Sequence, residues 1–267
     1  GRSERFVPVD TEAVGEETHG RLREWATEHR LDAIVSTDAD ADRPMVTDEN
    51  GEQVRGDVLG VIASRFIGAT SLVTPVTSNS GIDRVLGLKT VRTRVGSPFV
   101  IEAMQQAVAA SQGGPVVGFE ANGGFLLGSA VDLPAGHLAP LPTRDSMLPI
   151  LAALARLSEG PLSGQVAALG LPVSISDRLE NFPVADSSAL MERLNADENN
   201  IAAFLDGIGM PASIDRTDGL RITLADGAIV HLRPSGNAPE MRCYVEHDRP
   251  EVAAELLRSM LGRLQQK

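Results

Sequence analysis

Asp32-Ala33-Ile34-Val35-Ser36-Thr37-Asp38-Ala39-Asp40-Ala41-Asp42-Arg43 sets three carboxylates at alternate positions directly after a short apolar run. The run Asp32–Thr37 suits a buried strand. Three carboxylates converge only around a positive charge, because their mutual repulsion otherwise destabilises the loop. Asp38, Asp40 and Asp42 are hard oxygen donors, the type that selects Mg²⁺, and such an ion keeps positions open for a phosphate. Arg43 can grip a phosphate oxygen. A loop at the carboxyl end of a strand in an α/β layer is also where ligands usually bind. Two other readings compete. One is a solvated acidic turn. The other is an EF-hand with Glu49 as its last ligand, which fails because Arg43 takes the place of the required Gly, Pro44 follows, and a strand leads in.

Outward from this loop, residues 16–29 carry Leu22, Trp25, Ala26 and His29 at helical spacing. Met45-Val46-Thr47 followed by Asp48-Glu49-Asn50-Gly51 predicts a hairpin. From Gly56 onward helices and strands alternate: helix 57–67, strand Ser71–Val76, a short helix near Ile82–Leu86, strand Thr90–Arg94, helix 97–110 with Val100, Met104, Ala107 and Val108 on one face, strand Pro115–Gly118 and helix 145–157. The Pro-Leu stretch 133–142 reads as a surface loop. This alternation predicts a mostly parallel α/β layer. After Gly160 the pattern becomes a helix at 187–206, four short strands (Ala212–Arg216, Leu220–Leu224, Ile229–Arg233, Met241–Glu246) and a helix at 250–264 with Val252, Leu256, Met260 and Leu264 in one stripe. Grouped strands flanked by helices predict a small α+β domain.

The bulk properties narrow the function. The 267 residues carry a formal charge of −12, which argues against a nucleic-acid or anionic-membrane partner. A few local arginines still suffice for a small anionic substrate. Aromatics make up 3% of the chain, so the cores are built from Ala, Val, Leu and Ile. The single cysteine, Cys243, excludes an intrachain disulfide and fits a reducing, cytoplasmic setting. No apolar run approaches the ~18 residues of a membrane span. The opening Gly1-Arg2-Ser3-Glu4-Arg5 has no starting Met and reads as a cut piece.

Two further loops carry chemistry. In Gly118-Phe119-Glu120-Ala121-Asn122-Gly123-Gly124, Glu120 can accept hydrogen bonds from two vicinal hydroxyls, Asn122 can donate and accept, and Gly123 allows close backbone approach. By itself this loop reads more readily as a plain turn. In Arg233-Pro234-Ser235-Gly236-Asn237-Ala238-Pro239-Glu240, with Arg242 beyond it, a guanidinium, a hydroxyl and backbone N–H groups form a phosphate nest. Its alternative is a strand-to-strand turn with an incidental Arg.

Metal loop, sugar loop and phosphate loop follow in that order, each after a strand. This arrangement resembles the α-D-phosphohexomutase superfamily of phosphomannomutases and phosphoglucomutases, over nearly the whole chain. Asp38–Arg43 is similar to its Asp-Gly-Asp-Gly-Asp-Arg motif, with Ala39 and Ala41 in place of Gly. Glu120–Gly124 is similar to its Glu-x-Ser-Gly loop, with Asn122 for Ser and Gly124 where several relatives have His. Arg233–Glu240 is similar to its Arg-Pro-Ser-Gly-Thr-Glu-Pro loop, with Asn237 and Ala238 for Thr and Glu. The resemblance implies the second half of a second domain in 1–52, a mixed α/β third domain in 53–160 and an α+β fourth domain in 161–267.

It further implies interconversion of hexose 1-phosphates and 6-phosphates, of mannose or glucose, through a bisphosphorylated intermediate. Asp38, Asp40 and Asp42 would hold Mg²⁺, and Arg43 would stabilise the transferring group. Glu120, Asn122 and Gly123 would bind the sugar. Arg233, Ser235, Gly236, Asn237 and Arg242 would bind the other phosphate, with a hinge near Gly160. The family's phosphorylated serine lies in a Thr-Ala-Ser-His-Asn-Pro loop of its first domain. No His in this sequence follows a Ser, and Ser78-Asn79-Ser80 lacks the His. The expectation is therefore a chain inactive alone, with a sugar-phosphate-binding protein as the alternative. The sequence leaves the oligomeric state open.

Overall fold

The computed structural model describes residue 11 and residues 14–88, 90–111, 113–134, 136–236 and 238–266. It divides into two compact units between Gly170 and Leu171.

The first unit begins with α1 (Glu16–His29), β1 (Ile34–Thr37), β2 (Pro44–Thr47) and β3 (Gln53–Val54). These strands form an antiparallel sheet in the order β1-β2-β3, with Thr37 opposite Pro44. The Asp loop thus closes an antiparallel pair, and the ligand position expected at the end of a strand in an α/β layer is not where it lies. Leu22 and Ala26 are the buried residues of α1, whereas Trp25 is 48% exposed, so the inward stripe is narrower than the spacing suggested. The hairpin expected at 45–51 is present as β2–β3. Glu49 at its tip accepts hydrogen bonds from Ser163 N and Ser163 Oγ and takes no part in the Asp loop.

The main layer follows as α2 (Gly56–Phe66), β4 (Ser71–Pro75), α3 (Ile82–Leu86), β5 (Thr90–Thr93), α4 (Ser97–Ala110), β6 (Val116–Phe119), β7 (Phe125–Leu127), β8 (Val131–Leu133), β9 (Gly136–Leu138), β10 (Leu141–Asp145), α5 (Met147–Arg156) and α6 (Leu162–Ala167). Five strands form one sheet in the order β10-β7-β6-β4-β5. β4 is parallel to β5 and β6, whereas β6–β7 and β7–β10 are antiparallel. The layer is therefore mixed. Its antiparallel edge comes from residues 125–145, where β8–β9 also form a hairpin in the stretch expected to be a loop. Those strands are only three to five residues long, too short to show a clear period of two.

Neighbouring residues of β6 face opposite sides. A Cβ at Gly118 would meet Met104 and Val100 of α4, while the Phe119 ring lies where a Cβ at Gly60 of α2 would stand. Hence α4 and α2 cover opposite faces. α5 packs on both α2 and β2, fastening the small sheet to the main layer.

The second unit contains β11 (Val173–Leu179), α7 (Val184–Ala196), α8 (Glu198–Phe204), β12 (Pro211–Asp215), β13 (Leu220–Leu224), β14 (Ile229–Pro234), β15 (Met241–His247) and α9 (Pro250–Gln265). The antiparallel sheet runs β11-β15-β14-β13-β12. The helix expected at 187–206 is split at Asp197, whose side chain accepts from Asn199 N and caps α8. In α9 the buried stripe is Ala253, Leu256, Met260 and Leu264, with Ala253 in place of Val252. Among the described residues no helix is long and apolar enough to cross a membrane.

Candidate functional site

Six residues, Asp38–Arg43, turn the chain from β1 into β2. Asp38 N donates to Arg43 O at 3.1 Å and Ala41 N to Asp38 O at 3.2 Å. Asp38 Oδ1 accepts from Asp42 N and Arg43 N, each at 3.1 Å, and so folds the loop around its own carboxylate. The three aspartates each offer a carboxylate oxygen within 4.8 Å of the others. Arg43 Nε stands 3.6 Å from Asp38 Oδ2 and 3.7 Å from Asp42 Oδ1. Asp42 Oδ1 is shielded from solvent and has no hydrogen-bond partner among the described residues. Burial pushes the Asp42 carboxyl upward, Arg144 opposes this, and Asp40 and Asp38 add to it; the net direction is up. Converging hard oxygens, one of them shielded and without a hydrogen bond, fit a divalent cation such as Mg²⁺.

Ala41 adopts φ +60°, a left-handed conformation that costs a residue with a Cβ about 1 kcal/mol. Ala41→Gly is expected to raise stability by up to about 0.5 kcal/mol, after allowing for the greater freedom of Gly in the unfolded chain. Equilibrium urea unfolding read by Trp25 fluorescence measures it, and a loss of stability contradicts it.

The Glu120 loop lies against the Asp loop within the first unit. Glu120 N donates to Gly124 O and Gly123 N to Glu120 O, forming a tight turn. Gly123 has φ +92°, and a Cβ on it would lie 2.8 Å from Pro44 Cγ, the residue after Arg43. Glu120 is buried and accepts from Ser97 Oγ at 2.9 Å. Asn122 Oδ1 accepts from Gly124 N at 3.0 Å, so Asn122 closes the turn. Arg144, from the stretch leading into α5, is ion-paired with Asp42, and Ser146 Oγ donates to Ala41 O at 2.8 Å. Ser97, Arg144 and Ser146 went unnoticed in sequence, and no local pattern marks them.

The Arg233 loop belongs to the second unit. Arg233 Nε donates to Asp218 Oδ2 at 2.9 Å, and both side chains are largely buried. A signal for this pairing existed: the Asp218-Gly219 turn opens the strand that pairs with β14. Ser235 N donates to Glu240 O across the loop. Arg178, Arg242 and Arg233 lie directly opposite one another on β11, β15 and β14. The Glu240 carboxylate stands 3.7 Å from Arg178 Nε and 3.6 Å from Arg242 Nη2. Gly236 lies in the same loop; Asn237 falls outside the described residues. The structure thus joins the Asp and Glu120 loops in one unit and places the Arg233 loop in the other.

The chain belongs to the phosphoglucomutase/phosphomannomutase family: residues 55–169 match its alpha/beta/alpha domain III and residues 179–262 its C-terminal domain. A phosphomannomutase of Sinorhizobium fredii is 53% identical over 99% of this chain and 56% of its own length. One from Salmonella muenchen is 42% identical over 100% of this chain and 56% of its own length. The chain thus spans about half the length of these curated relatives. A crystal structure of a phosphoglucomutase/phosphomannomutase family protein from Burkholderia thailandensis shares the fold, with a TM-score of 0.66 at 18% identity, over 94% of this chain and 49% of that one.

Proposed function

We propose that the chain carries the metal, sugar and phosphate loops of a phosphomannomutase-type phosphohexomutase, acting in the cytoplasm on mannose or glucose 1- and 6-phosphates. The observation that carries this reading is the convergence of Asp38, Asp40 and Asp42 beside the Glu120–Gly124 turn. In domain terms, 1–52 would be the second half of a second domain, 53–160 a third and 161–267 a fourth. Mg²⁺ held by Asp38, Asp40 and Asp42 would neutralise charge during phosphoryl transfer. Arg43 would stabilise the transferring group. Glu120, Asn122 and Gly123 would orient the sugar hydroxyls, which requires Glu120 to exchange its Ser97 hydrogen bond for the substrate. Arg233, held by Asp218, would grip the phosphate at the far end together with Ser235, Gly236, Asn237 and Arg242.

No Ser-His pair, the core of the phosphoserine loop that the resemblance implies, occurs in these 267 residues, so the second reading, sugar-phosphate binding without turnover, is the expectation for this stretch of chain tested by itself. Without a covalent carrier the phosphoryl relay has no acceptor. A coupled mutase assay with mannose 1-phosphate and a bisphosphorylated hexose activator separates the possibilities. This chain alone should show no turnover, yet should bind mannose 6-phosphate in calorimetry, with Arg233→Ala weakening binding about tenfold or more. Robust turnover would overturn the expected inactivity. Equal binding by Arg233→Ala would overturn the phosphate site. Mg²⁺ should bind the chain more weakly than the low micromolar range.

A further inference from the structure

Arg144 ties the sugar loop to the metal loop by a route that explains a glycine. A Cβ on Gly124 would lie 2.8 Å from Arg144 Cδ and 3.0 Å from Cγ, so the arginine stem fills the space a side chain would take. Beyond that crossing the guanidinium pairs with Asp42 Oδ2, with only 27% and 21% of the two side chains exposed. The other oxygen, Asp42 Oδ1, is shielded and has no hydrogen bond among the described residues. Two residues along the chain, Ser146 Oγ holds Ala41 O. The two oxygens of Asp42 therefore have separate surroundings: Oδ2 faces the arginine, and Oδ1 lies on the side of Arg43.

We propose that Arg144 is a positioning residue that fixes Asp42 for a divalent cation, and that position 124 is glycine because the Arg144 side chain crosses it. This inference rests on the metal reading of the Asp loop given above. A cation close to a metal site repels the metal. Here, however, Arg144 is engaged by Asp42 Oδ2 and not by Oδ1, so it holds the Asp42 carboxylate in one orientation and leaves Oδ1 for the ion. Partners of this outer kind typically change metal affinity 10–100-fold.

The test is Mn²⁺ titration of the 267-residue chain, followed by water proton relaxation. Arg144→Ala and Arg144→Met are expected to weaken Mn²⁺ binding about tenfold; the methionine keeps the stem packed over Gly124 and so guards against a folding defect. Gly124→Ala should weaken it similarly by displacing the arginine. In an Arg144→Ala background, Gly124→Ala should have a much smaller effect, because only the 3.2 Å approach to Asn122 Oδ1 then remains. Binding by Arg144→Met as tight as the parent's overturns the proposal, as does an equal Gly124→Ala effect with and without Arg144. If the parent chain binds no Mn²⁺ at all, the metal reading itself fails and the inference with it.

Discussion

Gly56→Ala is expected to destabilise the first unit by about 2 kcal/mol or more, although Gly56 begins a helix in which alanine is the better residue. By helix propensity alone the substitution would gain up to about 1 kcal/mol. The added Cβ, however, would lie 2.2 Å from Gly123 N, 2.5 Å from Ala121 O and 2.5 Å from the carbonyl carbon of Asn122. These are backbone atoms of a turn already fixed by Glu120 N to Gly124 O and by Asn122 Oδ1 to Gly124 N. The turn cannot retreat, so helix and loop must separate, and overpacking of this kind costs about 1–3 kcal/mol or more. The loop forced away is the one that touches Pro44 beside the aspartates, so metal binding should weaken as well. Gly20→Ala is the control: it lies within α1 with nothing within 4 Å of the new Cβ, and should gain about 0.5–1 kcal/mol. Urea unfolding followed by Trp25, the only tryptophan, reads both. A Gly56→Ala chain as stable as the parent would mean that the two segments do not touch.

Acid should weaken the second unit through His231. This imidazole is almost fully buried, and burial lowers its pKa to about 4. Its Nε2 lies 2.6 Å from Asp218 O, which accepts a hydrogen bond from it in the Nε2–H tautomer, and its Nδ1 has no partner among the described residues. The hydrogen bond to Asp218 O works against this lowering; Arg221 then opposes a positive charge more strongly than the Asp218 carboxylate favours it, and Arg233 opposes it least. An unfolded histidine has pKa about 6.5, so above that pH the ring is neutral in both states and contributes no pH dependence. As pH falls below 6.5 the unfolded chain takes up a proton that the folded one refuses. Stability is lost progressively and the loss is complete below about pH 4. At about 1.4 kcal/mol per tenfold difference in proton affinity, the loss amounts to about 3 kcal/mol. Tyr244, the only tyrosine, packs on His231 with ring centroids 5.4 Å apart and reports on this unit. Unfolding midpoints at pH 7, 5 and 4, compared with those of His231→Gln, isolate the effect. A folded-state imidazole titrating near 6.5 by NMR would refute it. Because Asp218 also holds Arg233, protonation of His231 should loosen the Arg233 loop as well.

The three loops could be singled out in sequence because their residue types are local. Alternate carboxylates, a Glu-x-Asn-Gly-Gly turn and an Arg-Pro-Ser-Gly turn each suggest a ligand type by residue identity, and the structure shows where each loop stands, not what it binds. Apolar periodicity likewise gave most helices and the buried central strands β4 and β6, but missed β11, a seven-residue edge strand with a largely exposed middle. The antiparallel edge at 125–145 was not legible, since β8, β9 and β10 are mostly exposed, carry no apolar run, and take their pairing from neighbours they meet only after folding. The split at Asp197 was legible in principle, as Asp is a strong cap, but apolar spacing on both sides concealed it.

What the sequence determined by itself was the chemical inventory of the Asp38–Arg43 loop. Three hard donors and an arginine are present whatever the fold. The tertiary structure decided how that inventory is arranged. An antiparallel turn, in place of the end of a parallel strand, draws the carboxylates together around the Asp38 side chain. Arg144, more than a hundred residues away in the chain, passes over Gly124 to hold Asp42. A contact of that separation leaves no periodic trace. Its only mark in the sequence is a glycine whose missing side chain makes room for it.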